Sequence, residues 1–322
     1  MTQVPTPTAD TVRRLVRSLL ADGTVGGPGG ATGTTGPDVR PADAGGPGGE
    51  HFTWWVGSRH VLRLAPDREA SARLRREPRL RDLVRPHIGV AVPVGVAHGE
   101  WAAGLAYTLD TTVPGGSAEE HDISAVGEAD LAALLTGLRE VPVRQAETLG
   151  VPRVGPRSLE ALRRAAAAAA ERLAAADEFD PVLLHQLTPS ATTQLAAQAG
   201  TAVLVHHDLR GEHLVVSADG RVRGVLDWIG AVVGDPAEDI AGLALAVGSP
   251  AAVRAATLAG YAARPCLRGL WLARCDTVVR LAESLARRDA GPQSLLRVQL
   301  RRAWEAILLE RVTELREADE EG

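Results

Sequence analysis

Val205-His-His-Asp-Leu-Arg-Gly-Glu-His-Leu-Val-Val-Ser-Ala-Asp-Gly-Arg-Val-Arg-Gly-Val-Leu-Asp-Trp-Ile-Gly-Ala-Val-Val-Gly-Asp-Pro-Ala-Glu238 is the stretch on which the reading of this chain turns. Apolar residues 202–205 predict a short strand that delivers His206 and Asp208 into a loop. His213 then leads into Leu214, Val215 and Val216, and an Asp219-Gly220 turn brings 222–226 back as a second strand. That hairpin ends on Asp227. A loop carboxylate, a ligand five residues later and a second carboxylate after a hairpin suit phosphoryl transfer, which needs one group to orient a hydroxyl and others to hold magnesium.

The pattern His206-x-Asp208-x4-His213, then Asp227-Trp228, then Gly234-Asp235-Pro236-x-x-Asp239, resembles the aminoglycoside phosphotransferase and choline kinase family of small-molecule kinases. A lone His-x-Asp means little; the joint occurrence of these motifs at kinase-like separations is what gives the resemblance its weight. It implies that Asp208 is the catalytic base, that Asp227 ligates magnesium, and that Asp239 braces the catalytic loop. His213 stands where the family usually has Asn, and the resemblance assigns it to holding magnesium together with Asp227. Imidazole is a softer ligand than an amide oxygen, and some members that act on macrolides or peptide antibiotics carry His there as well. His207 occupies a position that is often Gly and receives no role. The implied fold is α+β and bilobal, protein-kinase-like, with a small antiparallel-sheet N-lobe and a larger helical C-lobe, over about residues 48–290. The implied cofactors are Mg2+ and ATP or GTP as phosphoryl donor.

Length and composition agree with that size. The chain has 322 residues, 45% of them apolar, which allows one large or two modest domains. It contains no apolar run of about 18 residues and no charged-then-apolar leader, so a cytoplasmic protein without a membrane partner is expected. Net charge is −5 with no basic block, which argues against a nucleic-acid partner and mildly favours a cationic substrate. Lysine and asparagine are absent, so Arg and His stand where relatives use Lys and Asn. Cys266 and Cys275 form neither a metal nor a disulfide framework and read as buried thiols.

In chain order, apolar positions at three and four predict an amphipathic helix over 8–21, within an N-terminal segment 1–22. Residues 23–49, rich in Gly and Pro, read as a mobile linker, and its end, from Gly48 to Val56, doubles as a phosphate-covering loop. The N-lobe is assigned to 50–110. In the strand His60 to Leu64, Arg63 takes the place of the family's phosphate-holding lysine; guanidinium binds phosphate with fork geometry. The rival reading is a surface arginine on an edge strand. A helix follows over 67–84, with Glu77 placed to pair with Arg63; Pro78 disfavours an uninterrupted helix there, leaving Glu69 as the fallback. Strands are predicted over 90–97 and 101–109, turning at His98-Gly99-Glu100. The segment from Tyr107 to Gly116 resembles the family's hinge, which implies that backbone groups near Leu109 and Thr111 face an adenine. The C-lobe, 111–322, then supplies helices over 157–177, 236–247, 251–263, 267–289 and 292–316 and an acidic end, 317–321, expected to be frayed.

These readings converge on phosphorylation of a small-molecule hydroxyl, with a cationic, hydroxylated antibiotic or related natural product as the acceptor. Asp276 and Glu283 are candidate ammonium partners, and Trp271 and Trp304 either line the acceptor pocket or belong to the core. Three rivals stay open: a metal-dependent hydrolase built on His206, His207, Asp208, His213 and Asp227, a kinase of Ser or Thr in a natural-product precursor peptide, and a nucleotide-binding pseudokinase.

Overall fold

The computed structural model describes residues 6–21, 38–42, 51–198, 200–287 and 293–307. They fall into two compact units, one within 1–85 and 92–114, the other within 86–91 and 115–322. In the first unit, α1 (Ala9–Ala21) is followed by β1 (Val39–Pro41), β2 (Phe52–Val56), β3 (His60–Leu64), α2 (Arg68–Val84), β4 (Gly95–Ala102) and β5 (Leu105–Thr111). The strands form one antiparallel sheet in the order β1-β2-β3-β5-β4. Alternation sets the inner face: Trp54 and Val56 of β2 and Leu62 and Leu64 of β3 are buried. Val12, Val16 and Leu19, one face of α1, join the same core with Tyr107 and Leu109. Each such fully buried aliphatic side chain contributes about 1.5–3 kcal/mol.

Three expectations shift here. The strand Val39–Pro41 lies inside the stretch read as linker, and it pairs Val39 with Val56 and Pro41 with Trp54. The remainder of that stretch, 23–37 and 43–49, and the glycines proposed to cover phosphate lie outside the described residues. The β4 strand is Gly95–Ala102, so His98-Gly99-Glu100 is strand and not turn. Gly99 is required by packing, since a Cβ there would lie 2.9 Å from the Tyr107 ring, and the turn falls at Gly104, whose φ of +75° only glycine adopts at no cost. Finally, α2 continues through Pro78. A proline inside a helix costs ~3 kcal/mol, and the fully buried Leu74, Leu80 and Val84 on the two sides of it offset that cost.

The second unit is mainly helical. It runs β6 (Gly116–Ser117), α3 (Ala125–Glu140), α4 (Val143–Thr148), α5 (Leu159–Ala174), α6 (Pro189–Gln194), β7 (Val203–Val205), β8 (Leu214–Val216), β9 (Val222–Val225), β10 (Val232–Gly234), α7 (Ala237–Val247), α8 (Ser249–Leu258), α9 (Ala263–Ala286) and α10 (Gln293–Ala303). Small antiparallel sheets, β6-β8-β9 and β10-β7, carry the motif loops. Ala166, Ala169 and Ala170 bury the small-residue face of α5, and α7 is buried through Ile240, Leu243 and Ala244. Gly269 lets α9 approach α7, because a Cβ there would sit 2.8 Å from Ile240. Helices α8 and α9 begin earlier than periodicity suggests: Pro250 and Pro265 occupy first turns, where the missing N–H costs nothing. Of 292–316, residues 293–303 are helix; residues beyond 307, including the acidic end, lie outside the described residues. Both cysteines are free and buried, and burial pushes the Cys275 thiol up to about 12. Among the described residues no helix is long and apolar enough to cross a membrane.

Candidate active site

β7 pairs with β10 in the register Val205 to Val232, and this fixes where the chain leaves the sheet at His206. The imidazole of His206 is fully buried: Nε2 lies 3.0 Å from the Leu226 carbonyl oxygen, and Nδ1 accepts from the Asp208 N–H at 3.3 Å. The Nε2 tautomer follows from these partners. Trp228 packs edge-on against the ring at 4.6 Å. Burial, and then the charge of His213, pull the His206 pKa down to about 4, so it stays neutral. His207 takes a left-handed φ of +69°, turning the two successive N–H groups of His206 and His207 onto Asp239, whose two carboxylate oxygens each accept at 2.8 Å. Asp239 is in the first turn of α7 and ties the loop to a buried helix.

A variant tests that tie. Asp239→Asn keeps one acceptor oxygen and turns an amide NH2 toward the other backbone N–H, orphaning a buried donor at a cost of ~1–3 kcal/mol. Burial, against the two N–H bonds, pushes the Asp239 carboxyl up from 3.8 to about 7. Because that value is raised in the folded state, the folded protein keeps a proton that the unfolded chain has released, and wild-type stability falls as pH rises from about 4 toward 7. Thermal unfolding should therefore show the variant less stable than wild type by a margin that narrows across that window. A margin independent of pH would mean that Asp239 is ionised throughout.

Asp208 follows in the same loop, its side chain 29% exposed. Arg210 reaches back to both carboxylate oxygens, Nε to Oδ1 and Nη2 to Oδ2. Burial raises the Asp208 pKa, but the Arg210 hydrogen bond and the charges of His213 and Arg210 outweigh it, and the net shift is downward. The carboxylate is ionised. A 3-10 turn, Gly211–His213, then brings His213 round so that Nδ1 lies 2.8 Å from the Asp208 carbonyl oxygen. In the neutral imidazole, donation there puts the lone pair on Nε2. That nitrogen lies 3.7 Å from Asp227 Oδ2 and 3.8 Å from Glu212 Oε1. Asp227 leaves the hairpin in the left-handed region, φ +59°, a conformation that Asp tolerates better than most residues and that recurs at functional sites. The fully buried Trp228 anchors it through Nε1–H to the Val225 carbonyl oxygen at 3.1 Å.

Asp208, His213 and Asp227 are thus brought together, whereas His206 and His207 are not part of their cluster. His206 has both ring nitrogens engaged by backbone, which removes the five-ligand arrangement of the hydrolase reading. Among the described residues no group of three or more His, Cys, Asp or Glu side chains could hold a metal ion. The pair Asp227 and His213 is nevertheless compatible with magnesium, a cation usually held by one or two carboxylates together with waters and substrate phosphates. Asp235 acts structurally, because Oδ1 caps the Ala237 N–H at 3.0 Å and Oδ2 accepts from the buried Arg268 at 2.6 Å.

In the first unit Arg63 lies on β3, between β2 and β5, and is 7% exposed, so it is not a surface residue on an edge strand. Its guanidinium donates to Glu77 and, at 3.0 Å, to Asp110. Asp110 also accepts from Arg81 at 2.6 Å and from the Thr108 hydroxyl at 3.2 Å. Glu69, the fallback, pairs instead with Arg73 at 2.7 Å. Sequence reasoning misses Asp110 and Arg81; a carboxylate inside the buried run Leu105–Thr111 is the signal that could have found them. Leu109 lies opposite Leu62 and Ala97 in the sheet, and the Thr111 N–H donates to the Val94 carbonyl at 2.9 Å.

Of the expected ammonium partners, Asp276 is engaged by an arginine, whereas Glu283 is exposed. Arg157 holds both oxygens of Asp276, at 2.8 and 2.9 Å, and Glu283 pairs with Arg287 at 3.6 Å. Trp271 packs edge-on against Trp304 at 5.8 Å with Arg274 over both rings, which makes the pair part of the packing.

Comparison with known proteins adds a family. The phosphotransferase enzyme family, APH, matches residues 45–270. Viomycin phosphotransferase of Streptomyces vinaceus is 28% identical over 223 residues, 64% of this chain and 74% of that protein. The fold is similar to that of an aminoglycoside 2'-phosphotransferase solved as a GDP complex, with a TM-score of 0.60 at 20% identity, covering 84% and 93% of the two chains. A macrolide 2'-phosphotransferase from Brachybacterium faecium has a TM-score of 0.58 at 20% identity, covering 90% and 98%.

Proposed function

We propose that this chain, which belongs to the phosphotransferase enzyme family, transfers the terminal phosphoryl group of ATP or GTP to a hydroxyl of a cationic antibiotic or related natural product in the cytoplasm, as self-protection or resistance. The observation behind this reading is the loop from Asp208 to Asp227: one ionised carboxylate and, beside it, a second one 3.7 Å from a free imidazole nitrogen. Asp208 orients the acceptor hydroxyl and takes its proton late, since phosphoryl transfer through a loose transition state is mainly a matter of positioning and charge. Asp227 and His213 hold Mg2+, which when bound neutralises charge on the nucleotide phosphates. In the first unit, Arg63 binds phosphate, oriented by Glu77 and Asp110. Support for the acceptor comes from the relative named for viomycin and from the net charge of −5.

The test offers purified protein magnesium, ATP or GTP, and a panel of cationic and neutral hydroxylated antibiotics, with product read by mass. Phosphorylation of cationic acceptors, weakening as salt rises past ~0.1 M, is expected. Phosphorylation of neutral acceptors alone would overturn the acceptor class, and no nucleotide-dependent product at all would overturn the kinase reading. The metal assignment has its own check: Asp227→Asn should raise the magnesium concentration for half-maximal turnover at least ~10-fold, whereas His213→Asn should change it little, because an anionic oxygen is the better ligand for a hard cation. Unchanged magnesium dependence in the Asp227 variant removes that residue from the metal site.

A further inference from the structure

Arg210 has no part in the motif pattern, yet it makes the closest contacts to the carboxylate of Asp208. Its guanidinium covers both oxygens edge-on, Nε to Oδ1 and Nη2 to Oδ2, while Nη1 lies 3.4 Å from Glu212 Oε1. Backbone geometry fixes this reach over only two residues: the Arg210 N–H donates to the Asp208 carbonyl at 2.9 Å, and the Arg210 carbonyl accepts from the His213 N–H at 3.0 Å. One turn therefore carries the base, the guanidinium and the candidate metal ligand, so the three cannot move independently.

A carboxylate has about four lone-pair sites, and a bidentate guanidinium occupies two of them. One site on each oxygen remains, and its direction is set by the plane that Arg210 imposes. Without the guanidinium, Asp208 keeps, among the described residues, His213 Nδ1 as a nearby side-chain donor, 3.4 Å from Oδ2 and already bound to a carbonyl. The carboxylates of Glu212 and Asp227, both within 3.8 Å of His213 Nε2, add negative charge to the same turn. An ordinary exposed ion pair contributes little and would have no such consequence. This one holds a reacting group in register.

We propose that Arg210 is a positioning residue of the phosphoryl transfer, fixing the rotamer of Asp208 so that its remaining lone pairs face the acceptor hydroxyl; this rests on the kinase reading above. Misplacing a reacting group by about 1 Å can cost 10²-fold. Arg210→Ala is accordingly expected to lower kcat by roughly 10- to 100-fold with the nucleotide KM within about twofold. Arg210→Lys should retain intermediate activity, and millimolar methylguanidinium should restore part of kcat to the Ala variant. In an Asp208→Ala background, Arg210→Ala should cost nothing further, since both act through one carboxylate. Undiminished kcat, a loss carried by the nucleotide KM, or a full additive loss in the double variant would each overturn the proposal. Crystal structures of wild type and Arg210→Ala decide it without turnover: an Asp208 carboxylate in the same orientation in both overturns it, and a rotated one supports it. A wild-type protein that yields no phosphorylated product defeats the kinase reading, and the structural comparison still decides what Arg210 does to Asp208.

Discussion

Asp208→Ala is expected to lower turnover by ~10²- to 10⁴-fold, the usual cost of removing a positioned base, while nucleotide affinity stays within about twofold. The asymmetry follows from what the carboxylate touches. Its side chain is 29% exposed, ionised, and surrounded by Arg210 and His213; in the proposed reaction its free edge meets the acceptor hydroxyl and not the nucleotide. Because the transition state is loose, little of the loss comes from basicity, and most from a hydroxyl no longer aimed at the phosphorus. Single-turnover kinetics with saturating nucleotide, together with a separate titration of nucleotide binding, measures both quantities. Turnover within about threefold of wild type would remove Asp208 from the base position, and a parallel collapse of nucleotide binding would assign it to the metal or the phosphates instead.

The site is legible in the sequence where chemistry dictates spacing. His206, Asp208, His213, Asp227 and Asp239 can be located because a strand, a turn of fixed length and a hairpin must separate them, and the structure places them after β7, on a 3-10 turn, at the end of the β8-β9 hairpin and in α7. What each partner does is less legible. Asp276 reads as available for an ammonium group, yet Arg157, more than a hundred positions away in the chain, holds both its oxygens. Nothing local in the sequence signals such a pair, because Arg157 lies near the start of α5 and Asp276 in α9. Glycine misleads the reading of the first unit. Polar neighbours suggest a turn at His98-Gly99-Glu100, but Gly99 is there to admit a tyrosine ring, and the turn sits at Gly104. Similarly, Val39-Arg40-Pro41 is a strand set within a segment whose composition alone suggests none.

The second large effect concerns stability and the buried charges of the first unit. Two guanidiniums and two carboxylates, Arg63, Arg81, Glu77 and Asp110, are each no more than 7% exposed and balance one another in charge. Taking such groups out of water is costly, and mutual pairing with good hydrogen-bond geometry is what makes it tolerable. Asp110 is the shared partner, accepting from both arginines and from Thr108. Asp110→Ala therefore takes from Arg81 the carboxylate it donates to and from Arg63 one of its partners, leaving an excess positive charge for which ~3–5 kcal/mol of destabilisation is expected. Arg81→Met combined with Asp110→Leu removes one charge of each sign and should recover most of that loss, since a buried pair replaced by apolar side chains of similar volume is often neutral. Chemical denaturation of wild type, the single and the double variant gives the comparison. Equal destabilisation of single and double variants would show that the pair contributes through its own attraction and not through neutralising a buried charge, and a single variant as stable as wild type would mean that water reaches Arg81 in solution.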